Sequence, residues 1–125
     1  MRELLAERLT AQLLAGEPAR DPVAVAERLL AIQAQDLRGA RLAIRARTAG
    51  LHVSDVDRAL TDDRSLLITW LNRGTLHLVR SEDYAWLQAL TTPPLHTANA
   101  RRLEQTGVTP SLAEKGVDVV VRGSA

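Results

Sequence analysis

Apolar residues recur at helical spacing in the first part of the chain and at strand spacing in the middle. Leu5, Leu9 and Leu13 stand four residues apart, the period of one helix face, and Gly16 predicts a left-handed stop. Asp21-Pro22 then supplies an N-cap followed by a proline at the first helical position, where its missing N–H costs nothing. The next helix carries Val25, Leu29 and Ile32 on one stripe and runs into Gln33-Ala34-Gln35-Asp36. A third helix covers residues 37–46, weakened but not forbidden by Gly39, and Thr48-Ala49-Gly50 ends it. Ser54 with Asp57 forms a capping-box pattern and opens a short helix ending near Leu60.

Beyond that point the period changes. Residues 65–71 (SLLITWL) and 75–79 (TLHLV) are rich in β-formers and flank Asn72-Arg73-Gly74, whose Asn and Gly suit a tight hairpin turn with positive φ. Alternation sets Leu66, Ile68 and Trp70 on one face. Turn chemistry alone explains Asn72 and Gly74, with Thr75 and His77 expected to pack against Trp70. Ser81 caps a further helix holding Tyr84, Leu87 and Leu90, closed by Thr91-Thr92-Pro93-Pro94. One more helix covers residues 95–105 and stops at Gly107, and Thr109-Pro110 starts a last segment that is cut off at Gly123-Ser124-Ala125. Several short helices followed by one antiparallel hairpin predict a mainly α, winged-helix (helix-turn-helix) domain over residues 1–92. Residues 93–125 then read as a helical linker and the truncated start of a second unit.

Composition narrows the function classes. At 125 residues the chain fits one domain, and a hydrophobic fraction of 46% excludes disorder throughout. The absence of Cys excludes disulfides and thiolate metal sites, and His52, His77 and His96 lack metal-ligand spacing. No metal and no cofactor are expected. Nothing approaches the ~18 apolar residues of a membrane span, and the early acidic residues do not fit a signal peptide. A soluble, cytoplasmic protein is the expectation.

The net charge of +1 conceals an uneven distribution. Residues 1–37 hold four Arg and six acidic residues, residues 38–80 eight Arg and four acidic residues, and residues 81–125 four basic and five acidic residues. The basic excess thus lies in the third helix and the hairpin, the parts expected to meet DNA. Arg38, Arg41 and Arg45 fall in one narrow helical sector, interrupted by Leu42. An ordinary solvated face accounts for such a sector on charge alone, and Arg73 at the hairpin tip makes phosphate contact competitive.

Most enzyme templates are missing: no Gly-rich phosphate loop, no G-x-S-x-G elbow and no His-Glu-x-x-His. His77, between Leu76 and Leu78 on a strand, reads as a half-buried histidine with a hydrogen-bond partner rather than a catalytic one. Gln33-Ala34-Gln35 differs. Gln33 continues the apolar line of its helix, where an amide needs a partner or a cavity. In a continuing helix, residues two apart point to nearly opposite sides, so both amides serve one site only if the helix ends near Ile32 and the chain extends through Gln35. The competing explanation is two polar residues at a fraying helix end.

The segments Leu30-Ala31-Ile32-Gln33-Ala34-Gln35-Asp36, Leu60-Thr61-Asp62-Asp63-Arg64-Ser65, Thr69-Trp70-Leu71-Asn72-Arg73-Gly74-Thr75-Leu76-His77-Leu78 and Glu82-Asp83-Tyr84 occur in this order. Together they resemble the bacterial winged-helix DNA-binding-domain family that includes the AlkZ- and YcaQ-like DNA glycosylases. The resemblance covers almost the whole chain, and R-G-T-L-H after a Trp is its most specific part. Family members are about three times as long and contain three tandem winged-helix units, so the resemblance implies a first unit plus the start of the second. It also implies that Gln33 and Gln35 form the Q-x-Q motif linked to hydrolysis of the N-glycosidic bond of alkylated bases, similar to the branch acting on bulky or cross-linking purine adducts. Asp36 comes one position too late for the Q-x-D form.

The residue types fit that chemistry. Neutral amides do not take up protons near neutral pH, yet they orient a water, and their dipoles favour a developing positive sugar. This suffices for a leaving group that is already cationic, such as a purine alkylated at N7. Lyase chemistry needs an amine nucleophile, and Lys115 is the sole lysine, far along the chain. Scarce aromatics argue against a stacking pocket for a flipped base built by this segment alone. The leading reading is a monofunctional alkylpurine DNA glycosylase of DNA repair, with Gln33 and Gln35 holding the water and Arg38, Arg41, Arg45 and Arg73 on the phosphates of double-stranded DNA. The alternatives are a non-catalytic, regulator-like winged-helix DNA-binding module and a degenerate remnant marked by exposed apolar surface.

Overall fold

Three helices and a small sheet share one apolar core, and the order in which they enter it defines the fold. The structure is a computed structural model that describes residues 2–124. Met1 and Ala125, the outermost residues of the two expected units, lie outside the described residues. The elements are α1 (Arg2–Ala11), α2 (Pro22–Leu29), β1 (Ile32–Gln33), α3 (Leu37–Arg45), α4 (Val53–Thr61), β2 (Leu66–Leu71), β3 (Thr75–Arg80), α5 (Tyr84–Thr91), α6 (Pro93–Gln105) and α7 (Pro110–Gly123). The sheet is antiparallel in the order β1-β3-β2. Helix, short strand, two helices and a hairpin in this sequence form a winged helix, mainly helical as expected. The sheet has three strands where the sequence predicts a hairpin alone, because β1 is only two residues long and carries no period of its own.

Several elements begin where local chemistry dictates. The Asp21 carboxylate accepts from Ala24 N–H at 2.8 Å ahead of Pro22, and the Thr109 hydroxyl accepts from Leu112 N–H at 3.3 Å ahead of Pro110. Others shift. The box opening α4 is built two residues earlier than Ser54 and Asp57 suggest: Asp55 accepts from His52 N–H at 2.8 Å. Ser81 donates its hydroxyl to the Arg64 carbonyl instead of capping α5; a 3-10 turn at Ser81–Asp83 leads into the helix. In the hairpin, Arg73 (φ 61°) and Gly74 (φ 70°) take the positive dihedrals, not Asn72.

The first helix departs furthest from expectation. It ends at Ala11, not at Gly16, and Leu5 and Leu9 stay exposed. Arginines satisfy carbonyls at its end: Arg28 Nε donates to Ala11 O at 3.2 Å and Arg47 Nε to Gln12 O at 2.8 Å. Leu13, at φ 57°, then turns toward the core alone.

Val25 and Ala26 of α2, Ala40 and Ile44 of α3, and Val56 and Ala59 of α4 close on Ile32, Leu66 and Leu78 from one face of the sheet. The other face packs Leu71 and Val79 against Leu87 of α5. Trp70 shares the first face but stays exposed, opposite Leu76 in register. Thr75 and His77 point to the second face, so they do not pack on Trp70 as the sequence suggests. No helix among the described residues is long and apolar enough to cross a membrane.

Candidate functional site

The residues after α2 are extended because of one backbone turn. Leu30 sits at φ 68°, ψ −49°, and Ala31 N–H reaches back to Leu29 O at 2.8 Å. This is a γ-turn in its strained form, of the kind that persists where the surrounding structure holds it. It ends the helix three residues before Gln33, so Gln33 leaves the apolar helical line on which its sequence spacing placed it. The condition for a shared amide site is met by this route: Ile32 and Ala34 are buried, while Gln33 and Gln35 are exposed on the opposite side.

The two amides meet. Gln33 Nε2 donates to Gln35 Oε1 at 2.8 Å. Among the described residues Gln33 Oε1 and Gln35 Nε2 form no bond, so the pair presents an acceptor and donors outward together. The next residue anchors the segment: the Asp36 carboxylate accepts from Arg38 N–H at 3.0 Å and starts α3.

Sheet register brings further groups alongside. Gln33 faces His77, and His77 faces Thr69 on its other side. The bond from Ala34 N–H to Leu76 O (2.8 Å) makes Ala34 and Leu76 a hydrogen-bonded pair. Gln33 and His77 are therefore a non-hydrogen-bonded pair, the closer kind, with Cα atoms about 4.5 Å apart. His77 is half-buried, and its Nδ1 lies 2.9 Å from the Thr75 carbonyl oxygen. A carbonyl oxygen only accepts, so Nδ1 carries the proton and Nε2 is the lone-pair atom of the neutral ring. The half-buried histidine with a partner is present as expected; its place across from Gln33 was not legible, because β1 was not.

On its outer side Gln33 lines an open pocket of about 250 Å³ with Gln12, Leu29, Ala31, Ile32, Ala43 and Arg47. Arg47 is fixed there by bonds to Gln12 O and to Ala43 O at 2.7 Å. Far along β3, Arg80 Nε donates to Asp83 at 2.7 Å and its Nη1 pairs with Glu27 of α2 at 3.1 Å. Trp86 Nε1 also donates to Asp83, at 3.0 Å. The Arg80 hydrogen bond first, and the Trp86 one second, hold the Asp83 carboxyl below its ordinary range, while Asp83 raises the Arg80 pKa. This network ties α2, β3 and α5 around the sheet.

The candidate DNA-contacting arginines separate into two kinds. Arg41 turns inward and binds Asp57 of α4, with Nε at 2.8 Å. Arg38 and Arg45 are exposed on α3 and Arg73 is exposed at the hairpin tip; none of the three joins an ion pair among the described residues. The helix that directly precedes the wing is α4, whose Arg58 pairs with Asp55 of the same helix and with Asp63 just beyond its end. Lys115 lies on α7, which packs on α6, away from the amide pair. Among the described residues no three His, Asp or Glu side chains gather to hold a metal ion.

Comparison with known proteins agrees with this architecture. The family model "DNA glycosylase AlkZ-like" matches residues 26–124. The interstrand DNA cross-link repair glycosylase of Streptomyces sahachiroi is 38% identical over 114 residues, covering 87% of this chain and 29% of that protein. The solved structure of Streptomyces sahachiroi DNA glycosylase AlkZ superposes with a TM-score of 0.74 at 30% identity, over 95% of this chain and 32% of that one. The chain thus spans about a third of the length of these relatives.

Proposed function

The chain belongs to the AlkZ-like DNA glycosylase family, and from that premise we propose that it supplies the water-holding unit of a monofunctional glycosylase acting on cationic alkylated purines in double-stranded DNA. The observation that carries this reading is the amide pair: Gln33 and Gln35 project from an extended segment to one side and bond to each other at 2.8 Å. A water held beside the pair donates one hydrogen to an amide oxygen and keeps a lone pair for the sugar C1′. The amide dipoles favour the positive charge that grows on the sugar as the bond to the base lengthens. A purine alkylated at N7 departs as a neutral base, so no protein acid has to protonate it. The relative's activity in cross-link repair supports bulky or bridging adducts as the substrate class.

Arg38, Arg45 and Arg73 are the phosphate contacts in this reading, and Arg41 holds α3 to α4 instead. The winged helix occupies residues 1–92, and α6 and α7 open a second unit. The apolar side chains that α7 leaves exposed, Leu112, Val117 and Val120 among them, support that division. Base release from a duplex carrying an N7-alkylguanine, measured on the full-length protein, tests the proposal. Release that Gln33→Ala and Gln35→Ala abolish while duplex binding persists is the expected result. Folded, DNA-binding protein that releases neither small nor bulky adducts identifies a winged-helix binding module instead.

A further inference from the structure

Hydrolysis leaves a proton to be placed, and the two glutamines cannot take it. When the water oxygen bonds to C1′ and the C1′–N9 bond breaks, the bonding pair leaves with the cationic purine, which becomes neutral. One water proton must then go to a base. An amide oxygen accepts a hydrogen bond but does not become protonated near neutral pH. The acceptor is then either solvent or a group in the surroundings of Gln33.

We propose that His77 Nε2 is that acceptor, so that His77 acts with Gln33 and Gln35 on the attacking water. The inference rests on the glycosylase reading above and adds a residue to it. Register sets His77 directly across from Gln33 in a close, non-hydrogen-bonded pair. The 2.9 Å bond to the Thr75 carbonyl fixes the ring with its proton on Nδ1, leaving Nε2 free to receive one. The ring becomes an imidazolium, and charge balances: the cation that was on the purine ends on the histidine.

Other candidates around β3 are engaged or displaced. β1 and β2 contain no ionisable side chain. From α2, Glu27 pairs with Arg80 and Arg28 bonds to the Ala11 carbonyl. Beyond the end of β3, Asp83 and Glu82 also lie on Arg80, and Tyr84 is the ionisable residue of α5. The turn before β3 holds the Arg73 cation. Asp36, next to Gln35, is the nearest rival carboxylate in sequence, and it caps α3.

The test is single-turnover release of N7-methylguanine from a duplex by the full-length protein, across the range of about pH 5 to about pH 8 where imidazoles titrate. Wild type, His77→Gln, His77→Ala and Asp36→Asn are compared, with duplex affinity and thermal unfolding measured for each. Asn caps as well as Asp, so Asp36→Asn leaves α3 intact while removing its carboxylate. The expected result is a wild-type rate that falls toward acid. His77→Gln should be slower by about 100-fold or more, with the acid limb lost and affinity retained. Asp36→Asn should keep the limb. Wild-type speed in folded His77→Gln overturns the proposal, as does an acid limb that survives in His77→Gln or disappears in Asp36→Asn. Glutamine-dependent release with no dependence on His77 refutes this inference alone; no release by wild type on small or bulky adducts refutes the glycosylase reading with it.

Discussion

Gly39 lies in the first turn of α3, where alanine would ordinarily stabilise a helix by roughly 0.5–1 kcal/mol through the smaller entropy loss on folding. The structure predicts that Gly39→Ala gains little. A Cβ at this position would stand 2.9 Å from Asp36 Oδ2 and 3.4 Å from its Cγ. The carboxylate must move, and its other oxygen then gives up the 3.0 Å bond from Arg38 N–H. Loss of such an N-cap costs about 1 kcal/mol. The two effects nearly cancel, so Gly39→Ala should fall within about 0.5 kcal/mol of wild type. In an Asp36→Ala background the cap is already gone, and the same substitution should stabilise by its full ~0.5–1 kcal/mol. Urea unfolding of the four proteins, with a common m-value, measures this coupling. Equal stabilisation by Gly39→Ala in both backgrounds would refute the described cap and the way it anchors Gln35.

Leu78 is fully buried and joins Ile32 of β1 to Ile68 of β2 on the core face. Leu78→Ala should cost roughly 3–4 kcal/mol in urea unfolding, and a cost below about 1 kcal/mol would contradict this packing. Arg38→Ala, Arg45→Ala and Arg73→Ala should each weaken duplex binding and reduce the slope of log K on log salt by about 0.9, read from a salt titration. Arg41→Ala should leave that slope unchanged and cost at most about 1 kcal/mol of stability, because its pair with Asp57 is partly exposed. The Asp83 carboxyl is more acidic in the fold than in the unfolded chain. Its contribution is therefore complete above the unfolded value of about 3.9 and lost as pH falls through the lower folded value. Stability measured down to about pH 2 should show part of its acid loss removed in Asp83→Asn.

What the sequence displayed and what it concealed divide by range of interaction. Asp21-Pro22 and Thr109-Pro110 start helices through contacts three residues away, so their signals survive in isolation. The hairpin was equally local, although Arg73 rather than Asn72 takes the positive φ. The sequence does not mark the true end of α1, because Arg28 and Arg47, 17 and 35 residues from their acceptors, satisfy the carbonyls there. No nearby residue announces that. The candidate site shows the same division. Gln33 and Gln35 were visible as a pair of amides, and the need for an extended chain followed from helix geometry. The γ-turn at Leu30 that delivers it has no glycine to mark it. His77 could be placed on a strand but not beside Gln33, since its partner strand is two residues long and defined only by pairing with β3. Arg41 looked like its neighbours Arg38 and Arg45 until α4 brought Asp57 against it, 16 residues away.

The central claim is that Gln33 and Gln35 jointly hold one water, and a double-mutant cycle on the chemical step tests it most directly. Single-turnover rates of N7-alkylguanine release would be measured for full-length wild type, Gln33→Ala, Gln35→Ala and the double variant at saturating enzyme. A shared water predicts large losses in each single variant, a double variant hardly slower than the worse single, and unchanged duplex affinity. Losses that multiply in the double variant, or that vanish once enzyme saturates the DNA, would show that the two amides act separately or only in binding.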